Sequence, residues 1–290
     1  MKKQFALPLA AVAGGIAAFV LRLLQSLTGF EADTGLPIPG NPAGLALVVL
    51  LAALAILLLV LVRQLPKEAA PGPAFPADFS TKNARLLTLP VLGVFLIALS
   101  GAVDLLMGLG LLDSVLSAAV QAADPSGMTA VTVVTTGFSS KAHLLMGVLS
   151  LLSAAGLFLC IAACRRRDAG EESRGTWLLV PVVALVVRLV LTYRIDSVDP
   201  SLEAYYVELL ALVFLTLGFY RLSSFAFRAG RTGPFALYGC AAVVLCAATL
   251  GDGGSGLSST LLYAGGAAVL LGFLLLRLAS RPVPEPEEED

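Results

Sequence analysis

Residues 44–62 read GLALVVLLAALAILLLVLV, a run with no charged or hydrogen-bonding side chain. A bilayer core of ~30 Å is crossed by about 20 apolar residues in a helix, so this stretch alone points to a membrane-embedded chain. Seven further apolar runs lie around it, at 5–24, 86–109, 143–164, 177–193, 206–222, 235–250 and 261–278. The runs at 177–193 and 206–222 are short and each carries a charge, while 235–250 is the shortest. Snorkelling flanks and packing inside a bundle let such segments span. The sequence therefore predicts an all-α, polytopic transmembrane helix bundle of about eight spans, formed by residues 1–281 as a single domain.

Composition agrees with that class. Of 290 residues, 58% are hydrophobic and 13% charged, where a soluble domain has about one quarter charged. The mean hydropathy is +0.90. A formal net charge of −1 gives no footing for nucleic acid as a partner, so local charge placement carries the information.

Orientation follows from the basic residues, because short loops rich in Lys and Arg stay on the cytoplasmic side. With the N-terminus inside and eight alternating spans, the inner segments hold Lys2, Lys3, Arg63, Lys67, Lys82, Arg85, Arg165, Arg166, Arg167, Arg174, Arg221, Arg228, Arg231, Arg277 and Arg281. Only Lys141 and Arg194 fall outside, and Arg22 and Arg188 lie within or at the edge of spans. Adding or dropping a middle span would scramble this split, so both termini are expected in the cytoplasm. Lys2-Lys3, the apolar stretch and Ala11-Val12-Ala13 also resemble a secretory leader, whose cleavage would leave seven spans. Hydrophobicity continues past Ala13 to Leu24, which favours a retained first helix.

The connections are short, with three exceptions. Residues 65–79 hold four prolines and read as an extended, solvated inner connection, and 282–290 form an acidic, Pro-interrupted tail expected to be disordered. The outer connection 113–141 begins with the helix-capping pattern Asp113-Ser114-Val115-Leu116, breaks at Asp124-Pro125, and continues as a Val/Thr run from Thr129 to Thr136 that suits an extended piece. An ordered cap on the outer face, or a re-entrant lid, is expected there.

Charges inside spans cost about 2.5–3.5 kcal/mol each at a helix centre, so they face protein or water rather than lipid. Here they are Arg22, Asp104, Arg188 and Glu208, with His143 at the outer start of the fourth span. Arg22 shares a helix face with Gly15, Ala18, Ser26 and Gly29; Asp104 with Ser100, Gly101 and Gly108; Arg188 with Pro181, Ala184 and Thr192. Small residues mark close helix contact, so these charges are expected to point into the bundle. All five residues fall in the outer half, as ion pairs fixing helix register or as the lining of one ligand-binding pocket. Arg22 and Arg188, near span ends, can also snorkel to headgroups. Paired arginines make an anionic small molecule or a lipid phosphate the natural guest. His143, beside Lys141, reads as an interfacial polar residue.

No catalytic residues, cofactor or metal site are expected. A lone His excludes bis-His haem, and H-E-x-x-H, G-x-S-x-G, C-x-x-C and Walker A patterns are absent. Cys160, Cys164, Cys240 and Cys246 all sit in apolar runs and read as small packing residues. Gly251-Asp252-Gly253-Gly254-Ser255-Gly256 reads as a tight outer turn rather than a phosphate loop. Arg22-Leu23 followed by Asp33 matches Arg188-Leu189 followed by Asp199 at a constant offset, a faint sign of duplication.

Leu191-Thr192-Tyr193-Arg194, Asp199-Pro200, the segment from Tyr205 to Leu212, and Phe219-Tyr220-Arg221-Leu222 leading to Phe225-Ala226-Phe227 resemble an uncharacterised family of bacterial multi-pass membrane proteins. Thr34-Gly35-Leu36-Pro37 with Pro39-Gly40-Asn41 resembles it more loosely. The resemblance covers the C-terminal part of the chain and implies a bacterial cytoplasmic membrane location, with no activity or site residue to carry over. The function expected is that of a non-enzymatic, transporter-like or sensor-like bundle with an outer-half polar pocket for a small, anionic solute or ion. The alternatives are a structural or accessory membrane subunit that docks a membrane-protein partner, and a membrane-embedded lipid-modifying enzyme.

Overall fold

The computed structural model describes residues 5–29, 38, 40–65, 75, 77–80, 84–112, 139–166, 172–196, 202–252 and 256–280. Asn41 opens the helix over the most apolar run: its side chain accepts a hydrogen bond from the Ala43 N–H at 2.8 Å, and Pro42 takes the first position, where no N–H is needed. That helix, α2 (Pro42–Arg63), is one of eight: α1 (Ala6–Thr28), α3 (Ala84–Gly108), α4 (Ser140–Arg166), α5 (Leu179–Asp196), α6 (Leu202–Ser223), α7 (Thr232–Leu250) and α8 (Leu257–Ser280) complete the set. Each is long and apolar enough to cross a membrane, and the chain is an integral membrane protein. The 235–250 run is a full helix of 19 residues, because Thr232, Gly233 and Pro234 lengthen it on the inner side. Among the described residues there is no strand.

Side-chain contacts fix the direction of each helix. Gly14 faces Leu54 and Gly44 faces Gln25, so α1 and α2 are antiparallel. On α3, Gly108 meets Leu144 and Gly101 meets Ser150 of α4, while Gly93 meets Val269 and Ser100 meets Ser258 of α8, so both neighbours oppose it. Gly15 against Ala247 with Arg22 against Gly251 makes α1 parallel to α7, and Leu215 against Gly266 with Gly218 against Leu270 makes α6 parallel to α8. These pairings follow the strict up-and-down order of eight successive crossings. We call outer the end that carries Arg22, Arg188 and the start of α8.

Helix α8 is the most enclosed span and α2 the least. Val48, Val49, Ile56, Leu57, Leu59 and Val60 of α2 are exposed, which is where lipid tails belong. Enclosure of α8 rests on glycine. A Cβ on Gly93 would stand 2.6 Å from the Gly265 carbonyl oxygen, and one on Gly265 2.7 Å from that of Gly93. Gly101 and Gly147 oppose each other in the same way across α3 and α4. Lipid tails are as apolar as leucine, so close backbone packing rather than hydrophobic burial holds such helices together.

At the inner end the structure corrects the expectation of a solvated connection for its described residues 75 and 77–79. Phe75 and Phe79 are fully buried, and a 3-10 turn over Ala77–Phe79 sets Asp78 inward. Phe79 stands edge-on to Phe225, Phe235 and Phe273, at centroid separations of 5.1, 6.3 and 5.5 Å. This segment is therefore anchored, because two aromatic rings gain more by burial than an extended solvated path allows. The expected cap at 113–138, the tail at 282–290 and the aspartates Asp33 and Asp199 of the repeat-like match lie outside the described residues.

Gly93→Ala is expected to destabilise the protein by about 1–3 kcal/mol, because the new methyl meets backbone on α8. Gly239→Ala, whose Cβ would have nothing within 4 Å, should be neutral or slightly stabilising. Thermal unfolding of the purified variants checks the pair; equal losses would contradict the α3–α8 seam.

Candidate functional site

Ser100 and Asp104 sit one turn apart on α3, on the face that the glycines bring against α4 and α8. Both are fully buried. Asp104 Oδ2 accepts a hydrogen bond from Arg188 Nη1 of α5 at 3.1 Å, and Oδ1 lies 3.2 Å from His143 Nδ1 of α4. The same arginine donates through Nη2 to Ser259 Oγ at 3.0 Å and to Ser258 Oγ at 3.4 Å, at the start of α8. Ser100 Oγ closes the ring by donating to the Ser258 carbonyl at 2.7 Å. Each carboxylate oxygen thus has a donor-bearing partner, as a charge removed from water requires. With His143 neutral the cluster carries no net charge.

Of the five residues singled out by sequence, Asp104, Arg188 and His143 meet here, and the other two do not. His143 is buried against the carboxylate rather than lying at the interface, because α4 begins at Ser140 and carries it inside the bundle. Arg22 is 1% exposed and spans two partners, Gln25 Oε1 at 2.8 Å and Asp252 Oδ2 at 2.9 Å. Neither Arg22 nor Arg188 snorkels to headgroups: a carboxylate inside the protein gives each a nearer counter-charge. Glu208 accepts from the Tyr263 hydroxyl at 2.7 Å, joining α6 to α8. The two arginines of the repeat-like match take carboxylates from unrelated positions, the turn just past α7 and the last turns of α3.

Directly inward of the Arg188 cluster lies a cavity bounded by α3, α4, α5, α6 and α8. Its walls are largely apolar, including Ile97, Met146, Leu185, Leu215, Phe219 and Leu262, with Ser150 and Ser153 on one side and Arg188 at one end. A water centre can sit in about 20 Å³ of it, room for one or two waters. The lining, though not the size, is of the kind that small-molecule sites share: apolar walls, a few hydroxyls and one fixed charge.

Several partners were invisible to sequence reasoning. Asp252 reads as part of a glycine-rich turn, yet it neutralises Arg22. Ser258 and Ser259 open α8 and look like capping residues, yet both accept from Arg188. Arg277 counts among the inner basic residues but is buried in α8, where it pairs with Asp78 Oδ1, donates to Thr232 Oγ1 at 3.0 Å, and lies 5.3 Å from the Phe225 ring centroid. A signal existed for it: a cation three residues before the end of an apolar helix, with a lone acid in the aromatic stretch Phe75–Phe79. The four cysteines are buried and free, as their apolar setting implies.

Comparison with protein-family models, with curated proteins and with solved structures finds no match.

Removing Asp104 leaves a buried guanidinium with hydroxyl partners only. Asp104→Ala is expected to cost about 3 kcal/mol, and the double variant Asp104→Ala/Arg188→Met to recover most of it. Asp252→Ala should cost about 1 kcal/mol, since that carboxylate reaches solvent and Gln25 remains. Denaturation in mixed micelles measures all three; no recovery in the double variant would refute the pairing.

Proposed function

We propose that the protein is a transporter-like or sensor-like bundle of the bacterial cytoplasmic membrane, with both termini in the cytoplasm, that binds a small amphipathic anion in its outer half. The observation that carries this reading is the double role of Arg188, which is held by Asp104 and two serines and also forms the charged end of an apolar cavity. A carboxylate or phosphate on the solute takes the guanidinium in bidentate fashion and its apolar part occupies the cavity. Asp104 then gives up Arg188 and keeps His143. The space present holds one or two waters, so a larger solute enters only if the bundle opens. Binding requires α4 and α5 to part from α8, a movement of the kind by which membrane carriers gate a central site. The bacterial location rests on the family resemblance, and the orientation on the distribution of Lys and Arg.

A second reading is favoured by the directness of the Arg22–Asp252 and Arg188–Asp104 pairs: a structural or accessory subunit whose charges fix helix register. The exposed apolar face of α2 would then meet another membrane protein.

Thermal stability across a panel of organic anions separates the two. At about a hundredfold excess over Kd, a true ligand should raise the unfolding temperature of the wild type by roughly 5 °C. Arg22→Gln should retain the response and Arg188→Gln should lose it. Ala184→Phe fills the cavity without touching the ion pair and should abolish the response in a folded protein. Absence of any response across carboxylates and phosphates would favour the accessory reading.

A further inference from the structure

We propose that the inner rim of the bundle holds the phosphate of a glycerophospholipid at Arg221, a site separate from the Arg188 cavity and independent of its function. Arg221 lies in the last turn of α6, inside a membrane-spanning segment and at its inner end. Its guanidinium carbon stands 5.5 Å from the ring centroid of Tyr238 on α7 and 5.8 Å from that of Tyr220. Nε is buried and, among the described residues, has no hydrogen-bond partner. Arg221 as a residue is half-buried, whereas the buried arginines each meet a carboxylate: Arg22, whose Nε is likewise unpartnered, has Asp252, Arg188 has Asp104 and Arg277 has Asp78. No such ion pair forms at Arg221 among the described residues.

Stacking on rings engages the faces of a guanidinium and leaves its in-plane N–H donors for an oxyanion. The two tyrosines thus brace the guanidinium at cation–π distance, and its remaining donors suit capture of a phosphate. Depth selects the source of that phosphate. Tyr220 and Phe227 are more than half exposed on the same inner end, where a membrane protein meets acyl chains and headgroups. Exposed Arg63 closes α2 and exposed Arg231 precedes α7, and Val62 reaches Gly233, so further cations border the same rim. Such a cluster favours an anionic headgroup on the cytoplasmic side.

The test uses the purified full chain, delipidated in detergent, with binding read by native mass spectrometry. The probes are phosphatidylglycerol, a diacylglycerol with the same chains, and inorganic phosphate. Wild type should retain phosphatidylglycerol about fivefold more than diacylglycerol, with inorganic phosphate neither binding nor competing. Arg221→Gln and Tyr238→Leu should lose that preference, and Arg165→Gln, at the end of α4, should keep it. Equal preference in folded Arg221→Gln would overturn the site, and competition by millimolar inorganic phosphate would overturn its assignment to a lipid. Should Arg221→Gln not fold, Arg221→Lys decides: an ammonium cannot reproduce the planar fork, so most of the preference should vanish, and full retention counts against the proposal.

Discussion

A guanidinium enclosed by a bundle that itself faces hydrocarbon has no water to fall back on, and the Arg188–Asp104 pair is this protein's answer to that constraint. Much of the outer half is arranged around it. Asp104 and the serines have short side chains, so they reach Arg188 only if backbones approach closely. The glycines at 93, 101, 147 and 265 permit that approach by leaving out the methyl groups that would collide. Close packing and charge satisfaction are therefore one device here, the first being the geometric condition of the second.

The two ends of the bundle solve the same problem by different means. Outside, Arg22 and Arg188 are met by carboxylates and amide or hydroxyl groups with little aromatic support. Inside, Arg277 is met by Asp78 and set against a cluster of five phenylalanines contributed by α7, α8 and the segments preceding α3 and α7. The inner arrangement sets Phe75 and the Ala77–Phe79 turn under the bundle, ahead of α3. Between the two ends, the cavity below Arg188 is the place where polar and apolar demands are both incompletely met.

How far the sequence disclosed this depends on the range of each interaction. The eight spans were legible because hydrocarbon thickness imposes a length on every apolar run, and the inward faces of Arg22, Asp104 and Arg188 because small residues recur beside them at helical spacing. Partner choice was not legible. Arg22 finds Asp252 across 230 positions and Arg188 finds Asp104 across 84, and no local pattern encodes such pairings. Asp78 and Phe79 were misjudged as solvent-facing because prolines nearby signal an irregular backbone, which says nothing of whether that backbone is covered. His143 was placed at the surface for a similar reason: its neighbour Lys141 is exposed, but a helix turns by 100° per residue, and two positions on suffice to face the opposite way.

The α3–α8 seam also bears on biogenesis. Helix α3 enters the bilayer carrying a carboxylate and a row of bare glycines, while its counterpart α8 follows five crossings later. Between those moments Asp104 has only His143 and then Arg188 for company, and the groove that α8 will fill stands open to lipid or to whatever insertion machinery shelters it. Closure of the centre is thus postponed until α8 has been made, and a nascent chain stalled before it would present an unfinished assembly rather than a smaller version of the finished one.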